Sequence, residues 1–176
     1  PVYAFAQNSD IAGGAMSKAQ AAKIRKVYDL AAKTGAPVVG LYDSVGARLK
    51  EGSDMLASYG DLLLASNNLS GVVPQISVVL GPCLGTSAMI AVSADIVIMS
   101  EKGQMAIATD GVDGTLASAQ KTGLAHIAAK DEKEAIAAVR KVVTMLPSNN
   151  LSNASISEFA DVVSTAEADD VYGVLN

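Results

Sequence analysis

Apolar positions along the chain switch between a two-residue and a 3.6-residue period, and the switches mark the elements. Residues 2–6 alternate and predict a strand. A polar, Gly-rich stretch follows. Then Ile24, Val27, Tyr28, Leu30 and Ala31 share one helical face. Ser17 with Gln20 three residues on is a capping box that opens this helix, and Gly35 stops it. Residues 37–41 predict a short strand. Met55, Leu56, Tyr59, Leu62 and Leu63 stripe a second helix, capped by Ser53 and fraying at Asn67 and Asn68.

Residues 75–80, rich in Ile and Val, predict a third strand, and the small residues 86–92 a helix. Two more strands are expected over 95–99 and 104–108, then a short helix over 119–123 and a strand over 125–128. Asp131 with Glu134 opens a last helix through Ile136, Val139, Val142, Val143 and Leu146, ended by Pro147. Strands alternating with helices predict an α/β domain over residues 1–152. Its ligand site is expected where strands run into helix N-termini.

Charge changes this picture only at the end of the chain. From Ala154 onward there are five acids (Glu158, Asp161, Glu167, Asp169, Asp170) and no Lys or Arg, so residues 153–176 read as an acidic tail. The rest is balanced, with thirteen acids and thirteen bases. A neutral body with an acidic tail gives no footprint for nucleic acid, and 4% aromatic residues leave little for base stacking. No apolar run reaches the roughly 18 to 20 residues of a transmembrane helix. The single Cys83 excludes an internal disulfide and fits a reducing, cytoplasmic setting. The chain opens on a strand without an initiator Met, which reads as a trimmed start.

Candidate chemistry sits at two strand-to-loop junctions. One is Ser44, Val45, Gly46, Ala47 and Arg48; the other is Gly81, Pro82, Cys83, Leu84, Gly85 and Thr86, ending at a helix N-terminus. Both expose backbone N–H groups, and the second adds the positive end of a helix dipole. Brought together, they could donate two hydrogen bonds to one developing oxyanion. The same residues also make ordinary tight turns in which glycine serves backbone geometry alone, and the residues by themselves leave both readings open.

The stretch Asp43-Ser44-Val45-Gly46-Ala47-Arg48-Leu49-Lys50-Glu51-Gly52 resembles a motif of the biotin-dependent acyl-CoA carboxyltransferases. Pro74-Gln75-Ile76, Gly81-Pro82-Cys83-Leu84-Gly85-Thr86, the opening residues 1–7 and the phrase at 146–151 are similar too. The family includes carboxyltransferase subunits of acyl-CoA carboxylases and the acyl-CoA decarboxylases. The resemblance implies a crotonase-like (ClpP/crotonase) α/β fold of repeated β-β-α units. It favours the amide-donor reading, with Gly46, Ala47, Gly85 and Thr86 as oxyanion donors. Ser44, Val45, Arg48, Cys83 and Leu84 would then line the substrate. It also implies movement of a carboxyl group between biotin and an acyl-CoA through a thioester enolate.

Relatives of this kind have two crotonase-like halves, and the resemblance covers only the N-terminal, acyl-CoA-binding one, without its first few dozen residues. It therefore implies a C-terminal-half polypeptide as partner, in a homo- or hetero-oligomer. No biotinylation motif is present, so biotin would arrive on a separate carrier protein, while coenzyme A comes with the substrate. After decarboxylation, biotin itself would take the α-proton. The pattern departs from the family at Val45 and Thr86, each in place of Gly, and at Leu84 in place of a smaller residue. A β-branched residue disfavours φ > 0, so the amides there are expected to be re-aimed or crowded.

Other residues have plainer expectations. Arg48 is a salt-bridge or cap residue, with phosphate contact as its sharper role; Lys18, Lys23, Arg25 and Lys26 form a solvated helix face. Cys83 is a packing residue, His126 a satisfied core or edge residue, and Asp43 a brace for its own turn. One His and one Cys far apart make no metal site. A hydratase would need carboxylates beside the second loop, and none is there. A serine protease would rest on Ser87 and His126 alone. A non-catalytic CoA-binding or scaffold subunit is the remaining alternative.

Overall fold

The computed structural model describes residues 1–108 and 110–153. The expected acidic tail, apart from Asn153, lies outside the described residues. The strands are β1 (Tyr3–Ala6), β2 (Val38–Ser44), β3 (Gln75–Leu84), β4 (Ile96–Ser100), β5 (Gln104–Ala106) and β6 (Ile127–Ala129). The helices are α1 (Lys18–Thr34), α2 (Ser53–Leu69), α3 (Thr86–Val92), α4 (Leu116–Thr122) and α5 (Glu132–Met145). All the pairings are parallel, in the order β1-β2-β3-β4-β6, with β5 joined to β3 off that path.

Both faces of this sheet are covered, which is why its strands read as nearly continuous apolar runs. Alternation sorts the side chains. Val38, Tyr42, Val79, Val97 and Met99 face one way and pack with residues of α1, α2 and α3. Val39, Ile76, Val78 and Ile98 face the other way and pack on Ala135, Val139 and Val142 of α5.

The capping expectations hold at α1 and α5. The Gln20 N–H donates to Ser17 Oγ at 3.2 Å, and Gly35 ends α1 at φ 65°. The Glu134 N–H donates to Asp131 at 2.9 Å, and the Glu134 carboxylate accepts from the Lys130 N–H at 2.7 Å. At α2 the expectation fails. Ser53 is the first helical residue, preceded by Gly52 at φ 55° with no side-chain cap. The helix also continues through Asn67 and Asn68 to Leu69.

The larger difference is at β3, which runs to Leu84 instead of stopping at Leu80. It continues because it changes neighbours. Ile76 to Val79 pair with β4, whereas Pro82, Cys83 and Leu84 pair with β5. A register irregularity between Tyr42 and Ser44 marks the bend on the β2 side. Pro82 is tolerated there because a strand at a change of partner spares an N–H. The resemblance implied repeated β-β-α units; β4, β5 and α4 form one, while elsewhere a helix separates successive strands.

Candidate functional site

Strands β2 and β3 run side by side, with Ser44 opposite Cys83, so both candidate loops leave the same edge of the sheet. Contact between them is close. A Cβ on Gly46 would lie 3.1 Å from the Leu84 carbonyl oxygen, and Gly46 has φ +107°. Glycine is required on both counts. A third segment closes on the first loop: the Val45 N–H donates to Gly13 O at 3.0 Å, and Met16 bridges to Ala47.

Accounting for the backbone donors separates the four expected ones into two pairs. The Gly46 N–H donates to Ser44 Oγ at 3.1 Å. The Gly85 N–H donates to Ala106 O at 2.9 Å. Both are engaged internally. The Ala47 amide is different. Met16 spends its N–H on Gly46 O at 2.8 Å and its carbonyl on the Arg48 N–H at 2.9 Å. In a parallel bridge of this kind, the N–H of Ala47 points away from Met16. Thr86 is the first residue of α3 and has no carbonyl four residues back within the helix to bind. Among the described residues no acceptor pairs with either amide.

The glycine replacements cause no backbone strain. Among the described residues Ala12 is the only non-glycine with positive φ, so neither Val45 nor Thr86 adopts the conformation a β-branched residue resists. Val45 is half exposed, with its side chain over Gly13. Leu84 is partly buried and presents its carbonyl to Gly46.

Side chains around the loops mostly serve structure. Ser44 is fully buried and bonded to its own turn. Cys83 is fully buried, and burial pushes its thiol up to about 12, so it is neutral and unreactive near pH 7. Arg48 is exposed and reaches Glu51 at 3.9 Å, a long pair of little energetic weight. Asp43 does not brace its own turn as expected. Its Oδ2 accepts from the Ser9 N–H at 2.9 Å and the Ser9 hydroxyl at 2.8 Å. Its Oδ1 fills the space where a Cβ on Gly81 would stand. Gly81 is small because a carboxylate crosses it.

In the α1 basic stretch, Lys18 pairs with Asp54 at 3.0 Å and Arg25 with Asp29 at 3.2 Å, all exposed. Ser87 and His126 are occupied separately. The Ser87 hydroxyl lies 3.0 Å from the Tyr59 hydroxyl, and His126 Nδ1 accepts from the Val97 N–H at 2.8 Å. A protease pairing of the two is therefore not formed. No group of three metal-ligating side chains occurs among the described residues.

Sequence reasoning missed the residues that hold these loops from a distance: Gly13, Met16, Tyr59 and Ala106. Their contacts are long-range backbone bonds or single hydroxyls, which leave no local pattern. It also missed an apolar cavity of about 560 Å³ between α3 and the exit of β5.

A parallel sheet whose third strand divides between two neighbours, with two amide-bearing loops at one edge, defines a crotonase-like α/β domain. The chain belongs to the carboxyl transferase domain family, which matches it over residues 1–174. It is 41% identical to the methylmalonyl-CoA decarboxylase subunit alpha of Veillonella parvula, over 91% of this chain and 34% of that protein. It is 34% identical to the propionyl-CoA carboxylase beta chain of Roseobacter denitrificans, over 91% of this chain and 34% of that protein. The transcarboxylase 12S structure with hydrolysed methylmalonyl-coenzyme A bound superposes with a TM-score of 0.84 at 33% identity. That match covers 92% of this chain and 35% of the other. The chain thus spans about a third of the length of these relatives. Among the described residues no helix is long and apolar enough to cross a membrane.

Proposed function

We propose that this chain is the acyl-CoA-binding half of a carboxyltransferase that moves a carboxyl group between biotin and an acyl-CoA. The observation that carries this reading is the pair of loops on adjacent parallel strands, where Ala47 and Thr86, alone of the four expected donors, have amides without an internal acceptor among the described residues. Removing or adding a group at the α-carbon places negative charge on the thioester oxygen. Two preorganised N–H donors stabilise that charge at no cost of reorganisation. The α3 dipole adds a favourable partial charge at Thr86.

Biotin, on a separate carrier protein, supplies or accepts the carboxyl group. This chain's residues hold the thioester and its developing charge. Side chains in the two loops offer no base: the Cys83 thiol is buried and neutral, and the Ser44 hydroxyl is bonded to Gly46. That fits a reaction in which the proton is handled by the co-substrate. On this reading a C-terminal-half polypeptide completes the site, in a larger oligomer.

The test is reconstitution. The full chain is mixed with a C-terminal-half carboxyltransferase polypeptide, a biotinylated carrier and propionyl-CoA or methylmalonyl-CoA, and transfer of labelled carboxyl is followed. Saturable transfer that needs both halves is expected. Absence of acyl-CoA binding by the chain, together with absence of transfer by the pair, rejects the reading. Binding without transfer selects the alternative, a non-catalytic CoA-binding or scaffold subunit.

A further inference from the structure

Gln7 directly follows β1 and is only 8% exposed, its backbone N–H bonded to Leu41 O at 3.0 Å. Its carboxamide is left out of the internal hydrogen bonding. Among the described residues, Oε1 and Nε2 of Gln7 are the only buried side-chain polar atoms without a partner. An unpaired buried donor and acceptor are both costly, and such a group in a folded protein asks for a reason.

The carboxamide lines a polar cavity of about 540 Å³, shared with Asp10, Asp43, Gly81, Lys102 and Glu132, among others. That volume is in the usual range for small-molecule sites. Leu80, also in the lining, packs with the α5 cluster, and Glu132 is the first residue of α5. The cavity therefore lies on the α5 face of the sheet, opposite the face that carries α3.

The other polar groups around it are not fully used. Asp43 takes both Ser9 bonds on Oδ2, while its Oδ1 lies over Gly81. Lys102 and Glu132 are exposed, and neither joins an ion pair among the described residues. The lining thus carries three carboxylates, Asp10, Asp43 and Glu132, against the single ammonium of Lys102.

We propose that this cavity binds a free α-amino acid with a cationic side chain, of the arginine or lysine kind. The proposal does not depend on how Ala47 and Thr86 act. An apolar ligand would leave both Gln7 atoms unpaired. A lone carboxylate or phosphate would face three like charges. A simple alkylammonium has donors for Gln7 Oε1 and Asp43 Oδ1 but no acceptor for Gln7 Nε2. An α-amino acid brings both groups on adjacent atoms: its ammonium serves Oε1 and Asp43, and its carboxylate serves Nε2 and Lys102. A positive side chain then answers Asp10 and Glu132. Either orientation of the Gln7 carboxamide offers the same donor and acceptor.

Isothermal titration of the full chain with L-arginine, L-lysine, L-norleucine, agmatine, Nα-acetyl-L-arginine and L-argininamide tests it. Saturable one-to-one binding of L-arginine and L-lysine is expected. Norleucine lacks the side-chain charge, agmatine the carboxylate and acetylarginine the ammonium. Each is expected to bind about tenfold or more weaker, the loss of one charge-assisted bond. Gln7→Leu is expected to abolish binding while its urea midpoint stays at or above the parent's, because it removes two unpaired groups at similar volume. Lys102→Ala, at an exposed position, is expected to weaken binding about tenfold.

Absence of saturable binding by the parent at millimolar amino acid overturns the proposal. Binding that is unchanged in both variants places the ligand elsewhere and overturns it too. A Gln7→Leu chain that is less stable, in a parent that binds nothing, makes the carboxamide purely structural. L-argininamide binding as tightly as L-arginine overturns the free amino acid and makes the site one for a polypeptide amino terminus. The ligand series and Lys102→Ala decide the matter even if Gln7→Leu does not fold.

Discussion

Replacing Thr86 by proline separates the amide from everything else that Thr86 does. The residue occupies the first position of α3, where proline's missing N–H is one the helix does not use and its fixed φ near −65° already fits. Proline also restricts the residue before it to extended conformations, and Gly85, at φ 64° and ψ −133°, is extended in the mirror-image sense open to glycine. No hydrogen bond of the helix is lost, so stability is expected to change by less than about 1 kcal/mol. An interior proline would cost about 3 kcal/mol or more. On the proposed reading the transition state then loses one of two backbone donors, about 3 to 4 kcal/mol, or roughly 100- to 1,000-fold in kcat. Thr86→Ala keeps the N–H and is expected to run near the parent rate. The assay is carboxyl transfer by the reconstituted pair, with urea unfolding of each variant alongside. If Thr86→Pro folds as well as the parent and keeps kcat within about threefold, Thr86 is no oxyanion donor.

Three further outcomes follow from the same geometry. Gly46→Ala puts a Cβ 3.1 Å from the Leu84 oxygen at φ +107°, and is expected to cost about 2 to 4 kcal/mol in urea unfolding, strain and contact together; a loss under about 0.5 kcal/mol argues that the loops are not pressed together. Gly81→Ala drives a methyl into the Asp43 carboxylate and breaks its bonds to Ser9, so its cost is expected to be about 2 to 4 kcal/mol and to be less than additive with Ser9→Ala. Alkaline stability tests Cys83, whose thiol burial moves from an ordinary 9.0 to about 12. The folded thiol keeps its proton while the unfolded one loses it, so the stabilisation is complete below about pH 9 and drains away toward about pH 12, at up to about 1.4 kcal/mol per pH unit between the two. Burial also raises Tyr28, Tyr42 and Tyr59, which add to the loss above about pH 10. Cys83→Ala is expected to flatten the curve between about pH 9 and 10, and an unchanged slope there contradicts the assignment.

Local pattern made most of the elements legible. The Ser17 and Asp131 caps, the Gly35 stop and the α3 span were readable because each depends on residues within one or two turns. What the pattern could not show was β3 passing through Gly81 and Pro82. Glycine and proline together read as a turn, yet here Gly81 makes room for Asp43 from the neighbouring strand and Pro82 meets a change of sheet partner. The role of Asp43 was misplaced for a related reason: its partner Ser9 lies 34 residues away. The loops themselves were found through their glycines and the family motif. Which amides remain free depended on Ser44, Met16 and Ala106, and only the folded arrangement brings those to the loops.

The internal hydrogen bonds of the two loops also explain why Val45 and Thr86 can stand where the family motif has glycine. Each loop contains one glycine with positive φ, Gly46 at 107° and Gly85 at 64°. Each of these glycines keeps its own N–H on an internal acceptor, Ser44 Oγ in the first loop and Ala106 O in the second. The amide without an internal partner belongs to the next residue, Ala47 or Thr86. On the proposed reading, the glycine supplies the turn and its successor supplies the donor. A backbone donor places no demand on its own side chain beyond an ordinary φ, which Ala and Thr both accept. Val45 lies before the turn, and its N–H is already spent on Gly13. The two positions that a motif comparison would flag are therefore ones where the required group is either not the side chain or not that residue at all. The changes expected to remove function on this reading are those at Gly46 and Gly85, or those that delete the N–H of the residue after each.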